Sequence, residues 1–183
     1  MSALIIVLLI VAILVIVVIS MYNNLVKTKN KAEEAEAAID AHLTQRFDLI
    51  PNLVETVKGY AKHEEGTLEK VIQARNAAMN ATGVADRDAK DNILSGTLKS
   101  LFALSESYPE LKANQNFISL QEELSKIEKE LLNARKYYNA TARTFNDRIM
   151  TFPSNIIASM FHFKKLDYVK AEEGAKVAPK VSF

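Results

Sequence analysis

Three hydrophobic patterns follow one another along the chain. The first is unbroken: from Ala3 to Ile19, ALIIVLLIVAILVIVVI, no side chain is polar, and the first charge is Lys27. With Ser20, Met21 and Tyr22 the uncharged stretch reaches about 20 residues, enough for a helix to cross a ~30 Å hydrocarbon layer. The second is periodic: Ile39, Leu43, Arg46, Ile50, Leu53, Val57, Tyr60, then Leu68, Val71, Arg75 and Ala78. These steps alternate four and three, with a stutter around Glu64, which is the spacing of a bundle helix. The third repeats that spacing twice. One stripe carries Leu94, Leu98, Leu101 and Ser105; the other carries Phe117, Leu120, Leu124, Ile127, Leu131, Ala134, Tyr138, Thr141, Phe145 and Ile149.

The breaks between these stripes predict the elements. NATGVADRD ends the first long helix near Met79, with Gly83 as its cap and Asp86 starting the next. A second helix runs from about Arg87 to Glu106 and stops at SESYPELKANQ. A third spans about Asn114 to Thr151, until Phe152-Pro153 stops it. SNIIASMFHFKKLDYV reads as a short apolar-rich helix with Ser154 as a possible cap. Stripes joined by short loops cover one another as antiparallel neighbours, so the fold class is all-α, a transmembrane helix followed by an antiparallel helical bundle. The domain organisation expected is an anchor at 1–22, a bundle at 23–170 and a mobile tail at 171–183, where AEEGAKVAPKVSF has little to bury.

One residue conflicts with its own stripe. Pro51 lies in RFDLIPNLVETVKGYAKHE, Arg46 to Glu64, where it costs roughly 3 kcal/mol in a helix interior. Asp48 could cap a new helix there, but the seam passes from Leu43 through Ile50 to Val57 in phase and no loop residues intervene. The stretch therefore predicts a first helix that is long and kinked near Pro51, bent by more than ~20°, with Asp48 or a neighbour satisfying the freed backbone groups.

The flanks of the apolar run decide how it is used. No Lys or Arg precedes it and no small-residue cleavage site follows it, so it reads as an uncleaved anchor rather than a signal peptide. Lys27, Lys29 and Lys31 follow it, which places the amino terminus outside and the main domain in the cytoplasm. The anchor has no glycine-based small-xxx-small face, so any association would come from the bundle or from Ile/Val/Leu packing.

Composition narrows the function classes. With 23 basic and 22 acidic residues the formal net charge is +1, which gives no electrostatic footprint for nucleic acid. The absence of cysteine removes thiol catalysis and thiolate metal sites. The residues three before His42, His63 and His162 are Ile39, Tyr60 and Ser159, so no Glu-x-x-His pair exists for a metal bundle. His63-Glu64-Glu65 does not continue to a second histidine, and no phosphate loop or nucleophile elbow occurs. No catalytic, metal or cofactor-binding residue is expected, and no cofactor. The polar residues on or beside the seams, Arg46, Glu64, Arg75, Arg135, Asn139 and Asn146, allow two readings: a polar pocket, or paired charges that fix register, for instance Arg46 or Arg75 with Glu64 or Glu106. The aromatic run Phe152, Phe161, Phe163 and Tyr168 either caps the bundle or contacts a membrane or another protomer.

Taken together, the motifs resemble the LemA family. The matching blocks are YNNL after the anchor, RFDLIPNLVETVKGYAKHE, ESYPELKANQNFISLQEEL and NARKYYNATARTFNDRIMTFPSNIIA, spanning Tyr22 to about Tyr168. Departures are Ala37-Ala38, where the family tends to have a tryptophan nearby, Gln45 where a second arginine is common, and His162 where glycine is common. The resemblance implies a single-pass bacterial inner-membrane protein with an up-and-down four-helix bundle, and no known activity, substrate or cofactor. Two functions are then expected. One is a membrane-anchored structural protein that is a homo-oligomer in the lipid bilayer and shapes the membrane or supports the envelope. The other is an adaptor of another membrane protein, such as a protease or sensor, using a patch from Ile156 to Phe163. An enzyme or ligand binder would need an internal pocket at Arg46, Glu64 or Arg135.

Overall fold

The computed structural model describes residues 2–170, and these are helical apart from short turns and one extended segment. The tail expected at 171–183 lies outside the described residues. The six helices are α1 (Ser2–Tyr60), α2 (Glu65–Met79), α3 (Val84–Ser105), α4 (Pro109–Lys112), α5 (Gln115–Met150) and α6 (Ser154–Met160). At 1.5 Å per residue, the 59 residues of α1 make a rod about 90 Å long. Its first third stands clear of the other described residues: Leu4 to Ile19 are exposed along the whole apolar run. The remainder is one wall of a four-helix bundle.

Side-chain pairings fix the directions of the helices. His42 faces Glu130 at 3.4 Å, Arg46 faces Glu128 at 2.8 Å, and Asn114 Nδ2 donates to the Tyr60 hydroxyl at 2.9 Å. Rising numbers on α1 meet falling numbers on α5, so the two are antiparallel. Arg87 reaches Glu36 and Asp40 while Ser95 meets Arg46, so α3 runs parallel to α1. Between them α2 runs back, with Arg75 against the Phe47 level of α1. The order is up, down, up, down, as the resemblance implies.

Of the apolar seam positions named on the lower half of α1, Ile39, Leu43, Ile50, Leu53 and Val57 are buried, while Tyr60 at its end is exposed. On α5 the stripe buries Phe117, Leu124, Ile127, Leu131, Tyr138 and Phe145. At ~1.5–3 kcal/mol for each fully buried large side chain, this shared core rather than helix propensity holds the elements together.

The structure corrects two boundaries. The first helix does not continue to Met79. It ends at Tyr60, the chain turns at 61–64, and α2 folds back on it. The stutter around Glu64 was therefore a reversal. Periodicity could not reveal this, because a helix that continues and one that turns back against the same core need the same apolar stripe. The fourth bundle helix is consequently α2, and the short α6 lies outside the four. The second correction concerns the loop after α2. Gly83 caps the start of α3, not the end of α2, whose C-cap is Asn80. Gly83 has φ +80°, a conformation only glycine adopts without strain. Asp86 is already inside α3 and its carboxylate accepts from the Thr82 amide at 3.3 Å.

Pro51 lies inside α1, which passes through it to Tyr60 without interruption. A proline has no N–H, so the carbonyl four residues before it, Phe47, loses its helical donor. The partner is not Asp48. Arg75 of α2 donates its Nε to the Phe47 carbonyl at 2.8 Å. The gap in the ladder of one helix thus becomes a hydrogen bond that fastens a second helix to it.

Candidate functional site

Two places in the fold gather polar or aromatic groups that the seams alone do not require. The first is a buried ionic cluster in the middle of the bundle. Arg46, on the α1 seam, is 4 % exposed, and Asp91 of α3 is 0 % exposed. Arg46 Nη1 donates to both Asp91 oxygens at 2.9 Å, and its Nη2 donates to Ser95 Oγ at 2.9 Å. The same Nη2 lies 2.8 Å from the half-buried Glu128 carboxylate. From α5, Arg135 Nη2 donates to Asp91 Oδ2 at 2.8 Å, while its Nε is 3.0 Å from Asp88 Oδ1. One aspartate therefore accepts from two arginines on two different helices. Burial holds the Asp88 carboxyl above the usual carboxylate range; Arg135 opposes this and the neighbouring Asp91 charge adds to it.

The cluster is what makes α1, α3 and α5 fit in one register only. Separating α3 from the other two would take the Asp88 and Asp91 carboxylates away from Arg46 and Arg135, and a buried charge left without its partner costs several kcal/mol. Beside it a groove of about 390 Å³ runs between α3 and α5, lined by Arg46, Ser95, Leu98, Phe102, Leu124 and Glu128. Both Nη atoms of the Arg46 guanidinium at its edge are already engaged, by Asp91, Ser95 and Glu128, while its Nε has no partner among the described residues. That favours the register reading over the pocket reading for Arg46.

The other residues singled out in the sequence separate. Arg135 belongs to the cluster; Arg75 pairs with backbone, as described. Neither Glu64 nor Glu106 pairs with Arg46 or Arg75. Glu64 accepts from the Tyr108 hydroxyl at 3.3 Å, and Glu106 pairs with Lys112 on the surface. His42 and His63 are not brought together, since 18 helical residues from His42 to Tyr60 span about 27 Å.

Asn139 and Asn146 perform a different task. After α6 the chain returns extended along α5. Asn146 Nδ2 donates to the Leu166 carbonyl and its Oδ1 accepts from the Leu166 amide, both at 2.9 Å. Asn139 repeats the arrangement on Val169 at 2.8 and 2.9 Å. Two asparagines seven apart share one face of α5, and each mimics a neighbouring strand for a single residue. Tyr138 donates to the Asp167 carbonyl between them at 2.8 Å, and its phenol is pushed up to about 12, first by burial and then by Glu36 and Asp167. The short helix expected over SNIIASMFHFKKLDYV thus stops at Met160, because the asparagine clasps hold the rest of the stretch extended.

The second place is the end of the bundle next to the apolar run. Leu25, Ile157 and Ala158 form a small core of their own, with Met21, Tyr22, Ile149 and Phe163 around it. Tyr22 packs on Phe161 with ring centroids 4.6 Å apart and on Phe163 at 6.0 Å, and Phe163 continues to Phe145 at 6.0 Å. The aromatic run therefore splits: Phe163 caps the bundle, while Phe152, Phe161 and Tyr168 remain exposed. His162 has φ +57°. The His162 amide donates to Ser159 O and the Phe163 amide to Ala158 O, the paired bonds of a Schellman cap, which places His162 at its left-handed position. Ser154 is not a side-chain cap of α6; its hydroxyl turns back to the Arg148 and Thr151 carbonyls.

The family profile described as LemA family matches residues 35–183. The chain belongs to the LemA family. A relative named Protein LemA, from Metamycoplasma hominis, is 27 % identical over 159 residues, covering 85 % of this chain and 71 % of its own length. The profile begins at Ala35, beyond the apolar run, and takes in all of the ionic cluster, the Pro51–Arg75 contact and α6. A LemA family fold in this chain is thus the four-helix bundle with its buried Arg–Asp cluster, joined without a break to a helix long and apolar enough to cross a membrane.

Proposed function

We propose that this LemA family protein is a membrane-anchored, non-enzymatic scaffold that self-associates and organises or shapes the bacterial inner membrane. The observation that carries the reading is the continuity of α1. One uninterrupted helix contains both the apolar run at 3–19 and the bundle wall from Leu25 to Tyr60. No glycine- or serine-rich tether separates them, so the bundle is held at a fixed distance and direction from the bilayer. Such coupling suits a part that transmits shape or position better than a tethered catalyst. The ionic cluster is spent on register, which suits a rigid building block. Lys27, Lys29 and Lys31 favour a cytoplasmic bundle and an external amino terminus.

Cross-linking of the full chain in native membranes tests this: ladders of the protein with itself support it, and monomer alone refutes it. The adaptor reading predicts instead a stoichiometric second chain in a pull-down after mild extraction.

A further inference from the structure

The membrane-side end of the bundle carries an apolar surface that none of the described residues covers. α5 descends antiparallel to α1 as far as Met150, with Ile149 in the small core beside Met21 and Tyr22, so the turn at 151–153 lies at the apolar-run end of the bundle. Phe152 in that turn is 79 % exposed; Ile156, Met160 and Phe161 on or beside α6 are 53 %, 62 % and 48 % exposed. The opposite side of α6, Ile157 and Ala158, is buried on Leu25. α6 is thus apolar on both sides, and among the described residues only one side has a partner.

Its height relative to the bilayer follows from α1. If the hydrocarbon layer spans Ala3 to Tyr22, about 30 Å, then Leu25 lies about 5 Å further out, inside the headgroup layer. α6 packs at the level of Met21 to Leu25, and Phe161 touches Tyr22. The exposed side chains of α6 therefore continue the exposed apolar surface of α1 at the depth where amphipathic groups settle. Charge agrees with this placement. From Arg148 to Leu166 the chain has no acidic residue, and its charges are Arg148, Lys164 and Lys165. Lys164 and Lys165 are exposed, and on α1 the first charge after the run, Lys27, is also basic and exposed.

We propose that the α5–α6 turn and α6 are a second membrane contact, in which Phe152, Ile156, Met160 and Phe161 insert at the headgroup–acyl boundary of the leaflet from which α1 emerges. This rests on the anchor reading of α1. The bundle is then held by two points rather than one, which fixes its tilt.

The natural chain has no tryptophan, so a single one reports depth. Phe152→Trp and Met160→Trp are made separately in the full chain and reconstituted in phosphatidylcholine–phosphatidylglycerol vesicles whose acyl chains carry bromine either near the headgroup or near the bilayer centre. Ile72→Trp on α2 and Leu9→Trp in the apolar run are the references. Insertion by ~5–10 Å puts both indoles beside the shallow bromines, so their emission is expected to fall about twofold or more with shallow bromine and less with deep bromine. Leu9→Trp should show the reverse order and Ile72→Trp neither. If Leu9→Trp is quenched but Phe152→Trp and Met160→Trp behave like Ile72→Trp, the second contact is refuted and the anchor stands. Blue-shifted emission at both positions that bromine does not touch would mean that a protein surface covers α6, and also refutes it. If Leu9→Trp itself escapes quenching, the anchor reading falls and takes this proposal with it.

Discussion

The bond between Arg75 and the Phe47 carbonyl has a magnitude that can be measured apart from everything around it. Arg75→Met keeps most of the methylene stem and removes the donor. The Phe47 carbonyl then has no helical partner, because Pro51 cannot supply one, and no side-chain partner. A hydrogen bond from a charged group contributes ~1.5–3 kcal/mol, and an unsatisfied buried acceptor costs ~1–3 kcal/mol. Arg75→Met should therefore destabilise the protein by about 1.5–3 kcal/mol. At ~2–4 °C per kcal/mol for a chain of this size, the midpoint falls by roughly 3–12 °C. In a Pro51→Ala background the alanine N–H can reach the Phe47 carbonyl, and the same Arg75→Met change should cost less than about 1 kcal/mol. The effect of Pro51→Ala alone, which mixes helix propensity with unfolded-chain entropy, cancels in the cycle. The assay is thermal or urea unfolding of the full chain in nanodiscs, followed by circular dichroism, for the four proteins. A coupling of about 1–2 kcal/mol is expected. Additivity within ~0.3–0.5 kcal/mol would show that Arg75 does not replace the missing donor.

Four other outcomes follow from the contacts above. Asp91→Asn leaves Arg46 and Arg135 buried without their shared charge and should cost ~3–5 kcal/mol, whereas Arg46→Met with Asp91→Leu should recover most of that loss in urea unfolding. Asp88→Asn should be far milder: with its folded pKa raised, Asp88 binds protons more readily folded than unfolded, so its contribution to stability grows as pH falls through the folded value toward 3.8 and declines as pH rises. His162→Gly relieves a left-handed residue in the α6 cap and should raise stability by ~0.5–1 kcal/mol, read as a shift in midpoint. In an ultraviolet tyrosinate titration of the six tyrosines, the last phase should lie near Tyr138's value of about 12 and disappear in Tyr138→Phe.

Much of the bundle was legible because its apolar stripes are long. Leu94, Leu98 and Leu101 of α3 and the α5 stripe from Phe117 to Phe145 repeat at helical spacing over many turns; these leucines and most of the α5 stripe are buried, with Leu120, Ala134 and Thr141 half-buried. The reversal at 61–64 was not legible, since it falls on a polar stretch and preserves the stripe on both sides. Asp88 and Asp91 were overlooked for a related reason. They precede the first leucine of α3 in a segment that reads as a polar start, yet extending the Leu94–Leu98 stripe backward by three and six residues lands on them. A carboxylate in phase with a buried stripe, facing arginines in phase with two others, was the available signal. The role of Asn139 and Asn146 could not be read, because the extended segment they hold has no periodicity of its own. His162 is the converse case: the resemblance implied glycine at this position, and φ +57° is a conformation that favours glycine.

The central claim is that α1 holds a rigid bundle against the membrane so that copies of it assemble there. The most direct measurement is a count of protomers for the full chain extracted in native lipid particles, by single-particle mass or subunit photobleaching. A defined multimer that persists on dilution, and survives the Asp88→Asn change, is the predicted result. A population that remains monomeric at the density found in the cell membrane would contradict the account.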